Sequence, residues 1–373
     1  MTALAALALL GWLYLVLAHG RFWQAGPVLA AARPRETPGV CVVVPARDEA
    51  PTIAASIESL LGQDYPALRV VLVDDGSQDG TGEIAGAIAE ARGDERLTVL
   101  RGSARPAGWA GKLWAVSQGV AAADSPWLLL TDADIVHAPG HLASLMAQAE
   151  QCGACMVSEM VALRCEAAAE RALIPAFVYF FQLLYPFAQV NDPASRIAAA
   201  AGGTVLIRRD TLAAAGGIAA IKGALIDDVA LARLIKPHGR IWLGHSALAR
   251  SVRPYPQAAD IWRMIARSAY VQLRFSLLLL AGTVLGLGVL FVVPPALALF
   301  GQGAARWVGL AGWAVMAASF LPTLRRFQLG AWRAATLPAL ALFYLAATLG
   351  SALDHHRGRG VQWKRRSYAE ETP

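Results

Sequence analysis

Charge is scarce in this sequence. Of its 373 residues only 16% are Asp, Glu, Lys or Arg, while 56% are hydrophobic. That balance is too apolar for a soluble enzyme of this size. Cysteine is scarce too, at four residues. Cys152 and Cys155 make one C-x-x-C, no second pair follows at metal-site spacing, and the motif reads as ordinary reduced thiols. No internal repeat or low-complexity tract is present apart from a richness in alanine, which leaves no basis for a repeat architecture. Glycine is missing from the turn Pro45 to Pro51, where a dinucleotide fold needs G-x-G-x-x-G. The nearest approach to a P-loop, "GWAGK" at Gly108 to Lys112, has Pro106 in place of the first glycine and leucine after the lysine. A dehydrogenase and a P-loop ATPase are thereby disfavoured.

The apolar excess is unevenly placed. Met1 to Gly20 holds no charged side chain, and it is long enough to cross a bilayer, as are Leu277 to Phe300, Ala305 to Leu324 and Ala334 to Leu353. The first stretch lacks a basic n-region and a clean small-residue cleavage site, so it reads as a retained span rather than a signal peptide. A large non-membrane part lies between. The net charge of +6 sits largely beside the spans and reads as a membrane-surface signature, with no nucleic acid implied.

Within the non-membrane part, apolar runs alternate with helical patterns. "VCVVVPA" (Val40 to Ala46) precedes Thr52 to Gln63, whose Ile53, Ile57, Leu60 and Leu61 share one face. Leu68 to Val73, a helical Thr81 to Arg92, Arg96 to Arg101, a helical Lys112 to Ala123 and Trp127 to Leu130 follow. This β-α-β-α-β-α-β order with continuously apolar strands predicts an α/β domain whose parallel sheet is covered on both faces.

In such sheets ligands bind beyond the carboxyl ends of the strands. The first strand ends in Arg47, Asp48 and Glu49, the second in "DDGSQDGT" from Asp74, and the fourth, "WLLLTDADIV", in Thr131, Asp132 and Asp134. Alone, a pair such as Asp132 and Asp134 fits a surface, a metal or a mutual partner equally well. Three acidic clusters on one sheet edge repel each other unless a cation and hydrogen-bond donors are present. A bound metal and a sugar or ribose are the natural partners.

The stretches "VVVPARDEAPTI", "VLVDDGSQDGT", "GWAGK", "LLLTDADI", "AGGTVLIRRDTLAAAGG" and "DDVALARLIKPHGR", in that order, resemble a family 2 glycosyltransferase with the GT-A fold. The one leading span, the trailing span group and "ARSVRPYPQAADIWRMIARSAYVQLRFS" are most similar to the bacterial hopene-associated glycosyltransferases, with ceramide glucosyltransferases more distant. The resemblance implies a mixed, mostly parallel sheet domain over residues 38–250, a first transmembrane helix over 1–20, an interfacial linker helix over 251–276, a membrane region over 277–353 and a basic tail over 354–373.

By the same resemblance, Pro45, Arg47, Glu49, Asp74 and Asp75 form the nucleotide pocket. Asp132 and Asp134 match the D-x-D pair, whose outer acid binds Mg²⁺ or Mn²⁺ bridging the diphosphate. Lys112 is a candidate partner for a phosphate, and Trp109 for the sugar or the core. Gly202, Gly203 and Thr204 match the segment lining the donor sugar. Asp227 and Asp228 open a helix, where acids also serve as caps; Asp228 matches the general base, and the dipole is expected to keep it ionised. Asp227 stands where the family usually has glutamate. The Q-x-x-R-W signature of processive synthases is not present, which argues against a polymer. Arg263 and Arg267 are its nearest equivalents and suit phosphate. The aromatic, proline-broken Ala172 to Val190 is expected at the membrane interface, beside a lipid acceptor.

The implied activity is inverting transfer of a sugar from a nucleotide-diphosphate sugar, a UDP-sugar ranking first, to a lipid, hopanoid-type acceptors leading. Ceramide- or sterol-type transfer, a polysaccharide transferase and a non-catalytic scaffold are the alternatives. Arg21, Arg33 and Arg35 place the catalytic domain in the cytoplasm of a multi-pass inner-membrane protein. The basic tail also favours that side, so one of the three trailing spans is expected to be irregular. Pro294 and Pro295 single out the first of them.

Overall fold

The computed structural model describes residues 1–358 and the backbone of 362–363 and 366–367. The expected basic tail therefore lies largely outside the described residues. Along the chain run α1 (Thr2–Leu17), β1 (Val40–Ala46), α2 (Ala50–Leu61), β2 (Leu68–Asp74), α3 (Thr81–Arg92), β3 (Leu97–Arg101), α4 (Gly111–Ala122), β4 (Trp127–Thr131), β5 (Ile135–His137), α5 (His141–Cys152) and β6 (Ala154–Ala162). Next come α6 (Ala168–Leu184), α7 (Phe187–Asn191), β7 (Thr204–Arg208), α8 (Arg209–Ala214), α9 (Asp227–Ile235), β8 (Arg240–Ser251), α10 (Ala258–Gln272), α11 (Leu277–Leu287), α12 (Val293–Phe300), α13 (Gly303–Arg326) and α14 (Leu337–His356). These elements divide between a helical unit (Met1–Gly26, Cys165–Ala188, Tyr255–Val361) and a sheet unit (Pro27–Arg164, Gln189–Pro254, Gln362–Pro373).

The large sheet of the sheet unit has eight strands in the order β3-β2-β1-β4-β7-β6-β8-β5. β1 is buried at every position and lies between β2 and β4, parallel to both. Past β4 the sheet turns mixed, because β7 runs antiparallel to β4 and to β6. The expected covering on both faces fails at the edge strand β3, which is largely exposed, with Val99 at 36%. Turn chemistry sets the helices: Pro51 sits in the first turn of α2, where its missing N–H is no loss. α3 lies between Gly80 and Gly93, at φ +85° and +59°. α4 packs closely on the sheet at Gly119, where an added Cβ would lie 2.4 Å from Val43 Cγ1 and 3.2 Å from Val73 Cγ2.

In the helical unit, three helical segments are long and apolar enough to cross a membrane: Leu277–Phe300, Gly303–Arg326 and Ala331–His356. These agree with the three trailing spans expected. In the leading segment over 1–20, α1 covers 16 residues, or about 24 Å at 1.5 Å per residue. The first of the three long segments is irregular as Pro294 and Pro295 imply, with a π-helical turn at Gly288–Val292 just before them. A proline at 294 cannot donate to the carbonyl of Leu290, and Trp12 Nε1 donates to that oxygen instead, at 2.6 Å. Pro175 inside α6 likewise leaves the Arg171 carbonyl, which accepts from Arg333 Nη1 at 3.2 Å.

Within Ala172 to Val190, expected at a membrane interface, the aromatics of α6 make contacts inside the helical unit. Tyr179 is fully buried, its hydroxyl 2.7 Å from Ser319 Oγ, and the Phe180 ring lies 4.8 Å from that of Tyr344. The aromatic content serves the core of the helical unit.

The close approach at Gly119 yields a first prediction. Gly119→Ala forces a methyl into Val43, and overpacking of this kind costs about 1–3 kcal/mol. A thermal-shift scan should show a lower unfolding midpoint with secondary structure retained; an unchanged midpoint would mean that α4 lifts off the sheet freely.

Candidate functional site

The strand order places the ends of β2, β1 and β4 side by side, so the three acidic clusters share one edge of the sheet unit. The first two are stitched together by their turns. Ser77 Oγ accepts from the Asp48 N–H at 3.0 Å, Asp48 Oδ1 from the Gln78 N–H at 3.0 Å, and Asp74 Oδ1 from the Ser77 N–H at 2.8 Å. Arg47 reaches across to Asp75, donating to its carbonyl and lying 3.6 Å from its carboxylate. Asp75 is only 3% exposed. Asp48 holds φ +50°, a left-handed conformation that aspartate tolerates better than most residues.

At the third cluster, the end of β4 faces the start of β7 through the Thr131–Thr204 register pair. This brings Gly202 and Gly203 beside Asp132. A concave site here is lined by Pro45, Lys112, Asp132, Gly202, Asp227 and Asp228 among others. Lys112, in the first turn of α4, bridges two elements: its Nζ lies 2.8 Å from Asp132 Oδ1 and 2.9 Å from Asp227 Oδ2. Burial opposes its charge, but Asp132 and Asp227 outweigh burial and hold it well above the usual lysine range.

Asp228 occupies the first turn of α9, accepting from the Gly202 N–H at 2.9 Å and the Val229 N–H at 2.7 Å. Burial, then the charge on Asp227, push its pKa up to about 7, against Lys112 and the two N–H donors. The expectation that the helix dipole keeps it ionised is therefore corrected: burial beside a second acid prevails. Burial likewise raises Asp132, with Lys112 opposing. Gly202 lies close to the acid, since an added Cβ would sit 3.3 Å from Asp228 Oδ2 and would need Asp228 to shift by a few tenths of an ångström.

Asp134 belongs to a second, more buried cluster. Arg253 Nε donates to Asp134 Oδ2 at 2.8 Å and Arg253 Nη2 to Glu49 Oε1 at 2.6 Å, while Ser251 Oγ lies 3.2 Å from Asp134. Arg253 and Ser251 are site residues that the sequence motifs do not single out. The available signal was an arginine just past the last sheet strand, in "ARSVRP". Arg263 and Arg267, singled out in the sequence, lie on α10 of the helical unit, where Arg263 pairs with Asp260 at 2.6 Å. Trp109 packs edge-on against Trp114, with ring centroids 5.1 Å apart.

Truncating Arg253 leaves two carboxylates, each about a tenth exposed, without this partner. Arg253→Ala should lower stability by roughly 1–3 kcal/mol. Arg253→Lys, keeping the charge but not the fork that reaches both acids, should recover only part of it. Denaturant unfolding of the three proteins checks the order; full recovery by lysine would reduce the contact to simple charge.

Residues 41–214 match the model for Glycosyl transferase family 2. The chain is 34% identical over 119 residues to the succinoglycan biosynthesis protein ExoO of Rhizobium meliloti and 33% identical over 120 residues to ExoU of the same organism, covering 32% of this chain and of each relative. The matches thus span about a third of the length of these relatives. Among solved structures, the mannosyltransferase PcManGT of Pyrobaculum calidifontis, in complex with GDP-Man and Mn²⁺, is similar in fold with a TM-score of 0.57 at 22% identity, over 94% of this chain and 98% of that one. Residues 41–214 are therefore similar to family 2 glycosyltransferases, and the mixed, mostly parallel sheet that they help to form is of the GT-A type.

Proposed function

We infer that this protein is a membrane-associated, inverting glycosyltransferase that moves one sugar from a nucleotide diphosphate to a hydroxyl of a lipid acceptor. The observation that carries the reading is Asp228, a carboxylate with a pKa of about 7 lining the same concavity as Asp132, Lys112 and Gly202. A base of that strength is half ionised near neutral pH, which suits proton abstraction in the transition state. Asp228 takes the acceptor's O–H proton as that oxygen attacks the anomeric carbon. The bond from that carbon to the diphosphate breaks, and its electron pair leaves with the nucleoside diphosphate. Attack from the face opposite the leaving group inverts the centre. Arg47 and Asp75 supply donor and acceptor groups for a nucleoside, and Lys112 is placed to meet the departing phosphate.

The donor set at β4 fits a hard divalent cation. Asp132 and Asp134 supply carboxylate oxygens, and each is already neutralised by a side-chain cation, Lys112 or Arg253. Among the described residues no group of three or more His, Cys, Asp or Glu forms a complete protein cage. One or two carboxylates completed by substrate phosphates are the usual arrangement for Mg²⁺. When bound there, Mg²⁺ or Mn²⁺ would neutralise charge developing on the diphosphate.

The three long apolar helical segments support an acceptor at a bilayer, and the sequence resemblance ranks hopanoid-type lipids first. A UDP-sugar remains the first donor to try. The positions of Arg21, Arg33 and Arg35 support a cytoplasmic catalytic unit at the inner membrane. A second reading, addition of sugar to a growing polysaccharide, is favoured by the names of the two Rhizobium relatives. Incubation of the purified protein in detergent with nucleotide sugars, and with lipid extract or oligosaccharide as acceptor, separates the two by the product's mass.

Asp228→Asn should retain nucleotide binding and lose transfer by about 10²- to 10⁴-fold. Because the base must be ionised, wild-type kcat should fall as pH drops through about 7 and level off above it; a flat profile from pH 5 to 9 would move the proton to another group. Asp134→Ala and EDTA should each abolish transfer, with added Mn²⁺ restoring only the chelated parent. Undiminished turnover in EDTA would remove the cation from the scheme.

A further inference from the structure

From Thr131, at the end of β4, runs a buried polar chain that the transfer chemistry does not use. Thr131, His137, His141 and Glu159 are all buried, at 3% exposure or less. Glu159 Oε1 contacts His141 Nε2, His141 Nδ1 lies 2.9 Å from His137 Nδ1, and His137 Nε2 lies 3.2 Å from Thr131 Oγ1. Thr131 Oγ1 then lies 2.8 Å from the carbonyl oxygen of Gly203. The two imidazoles stack with centroids 4.9 Å apart.

Counting hydrogens orients the chain. The Gly203 carbonyl only accepts, so the Thr131 hydroxyl must donate to it, and His137 must donate from Nε2 to Thr131. Burial and the adjacent His141 hold His137 well below the usual histidine pKa, so this ring is neutral and its Nδ1 accepts. His141 then donates from Nδ1 to His137, and its Nε2 shares a hydrogen with Glu159. From His141 onward every hydrogen points towards Gly203, and the neighbouring N–H, that of Gly202, is the one that holds Asp228.

We propose that Glu159, His141, His137 and Thr131 form a buried positioning relay that orients the Gly202–Gly203 segment under Asp228. These are positioning residues, acting through Thr131 on a backbone carbonyl. Burial is what allows the relay to transmit, because no water competes for its donors. The kinetic part of this proposal rests on the role given to Asp228 above; the hydrogen placement does not.

Glu159→Leu keeps the burial but removes the oxygen that faces His141 Nε2, whereas Glu159→Gln keeps a polar group whose amide pairs with that nitrogen in either orientation. Nitrogen NMR of protein labelled at histidine in detergent reads the hydrogen placement directly, and the expected result in the parent is the Nε2–H tautomer of His137. In the transfer assay Glu159→Leu should lose about ten- to a hundredfold in kcat, with the donor KM within about twofold, and Glu159→Gln should lose less. Thr131→Val should show the same loss as Glu159→Leu, Thr131→Ser should retain activity, and Glu159→Leu combined with Thr131→Val should lose no more than either alone. The Nδ1–H tautomer of His137 in the parent, or Thr131→Ser as impaired as Thr131→Val, overturns the relay. Absence of any transfer by the parent protein would count against the catalytic reading, while the His137 tautomer would still decide the relay.

Discussion

One ammonium group holds the site together. Lys112 comes from the start of α4, Asp132 from the end of β4 and Asp227 from the start of α9, three elements far apart in sequence. Like charges packed this closely would separate the elements or take up protons. A cation between them fixes the spacing and leaves Asp228, one residue further on, with a tunable environment. Its pKa is a balance of burial and Asp227 on one side against Lys112 and two backbone donors on the other. The base is therefore a property of three elements rather than of one aspartate.

Arg253 does for Asp134 and Glu49 what Lys112 does for Asp132 and Asp227. The two D-x-D acids consequently face different cations and differ in exposure, Asp132 at 35% and Asp134 at 10% of their side chains. Alternation along an extended segment sends residues i and i+2 to the same side only while the strand persists. Here β4 ends at Thr131, and the turn before β5 lets the two acids diverge.

The strands β1, β2 and β4, the helices α2 to α4 and the acidic ends were legible because they obey local rules: continuous apolar runs, one-sided helical faces and turn residues at their ends. Asp228's role as an acid at a helix start was also legible, but its protonation was not. Burial is a tertiary property, and a dipole argument from one helix omits the neighbouring Asp227. Arg253 was missed because nothing local marks an arginine after a strand as the partner of acids more than a hundred residues earlier. The partners of the aromatic run of α6, Ser319 and Tyr344, were not legible for a related reason: apolar aromatics suit a membrane boundary and a helical core equally.

The bond from Trp12 to the Leu290 carbonyl joins residues 278 positions apart. During synthesis the first helix emerges long before the oxygen that its indole will meet, and most of the sheet unit is translated in the interval. The sheet unit's own chain is complete to Pro254 before Leu290 exists. The helical unit, by contrast, is drawn from three separated pieces of chain, so its closure must await the last of them. An order of assembly is thereby written into the connectivity: the earliest segment made is among the last to acquire its final contacts, and the Leu290 carbonyl, freed by Pro294, is where it meets a segment made much later.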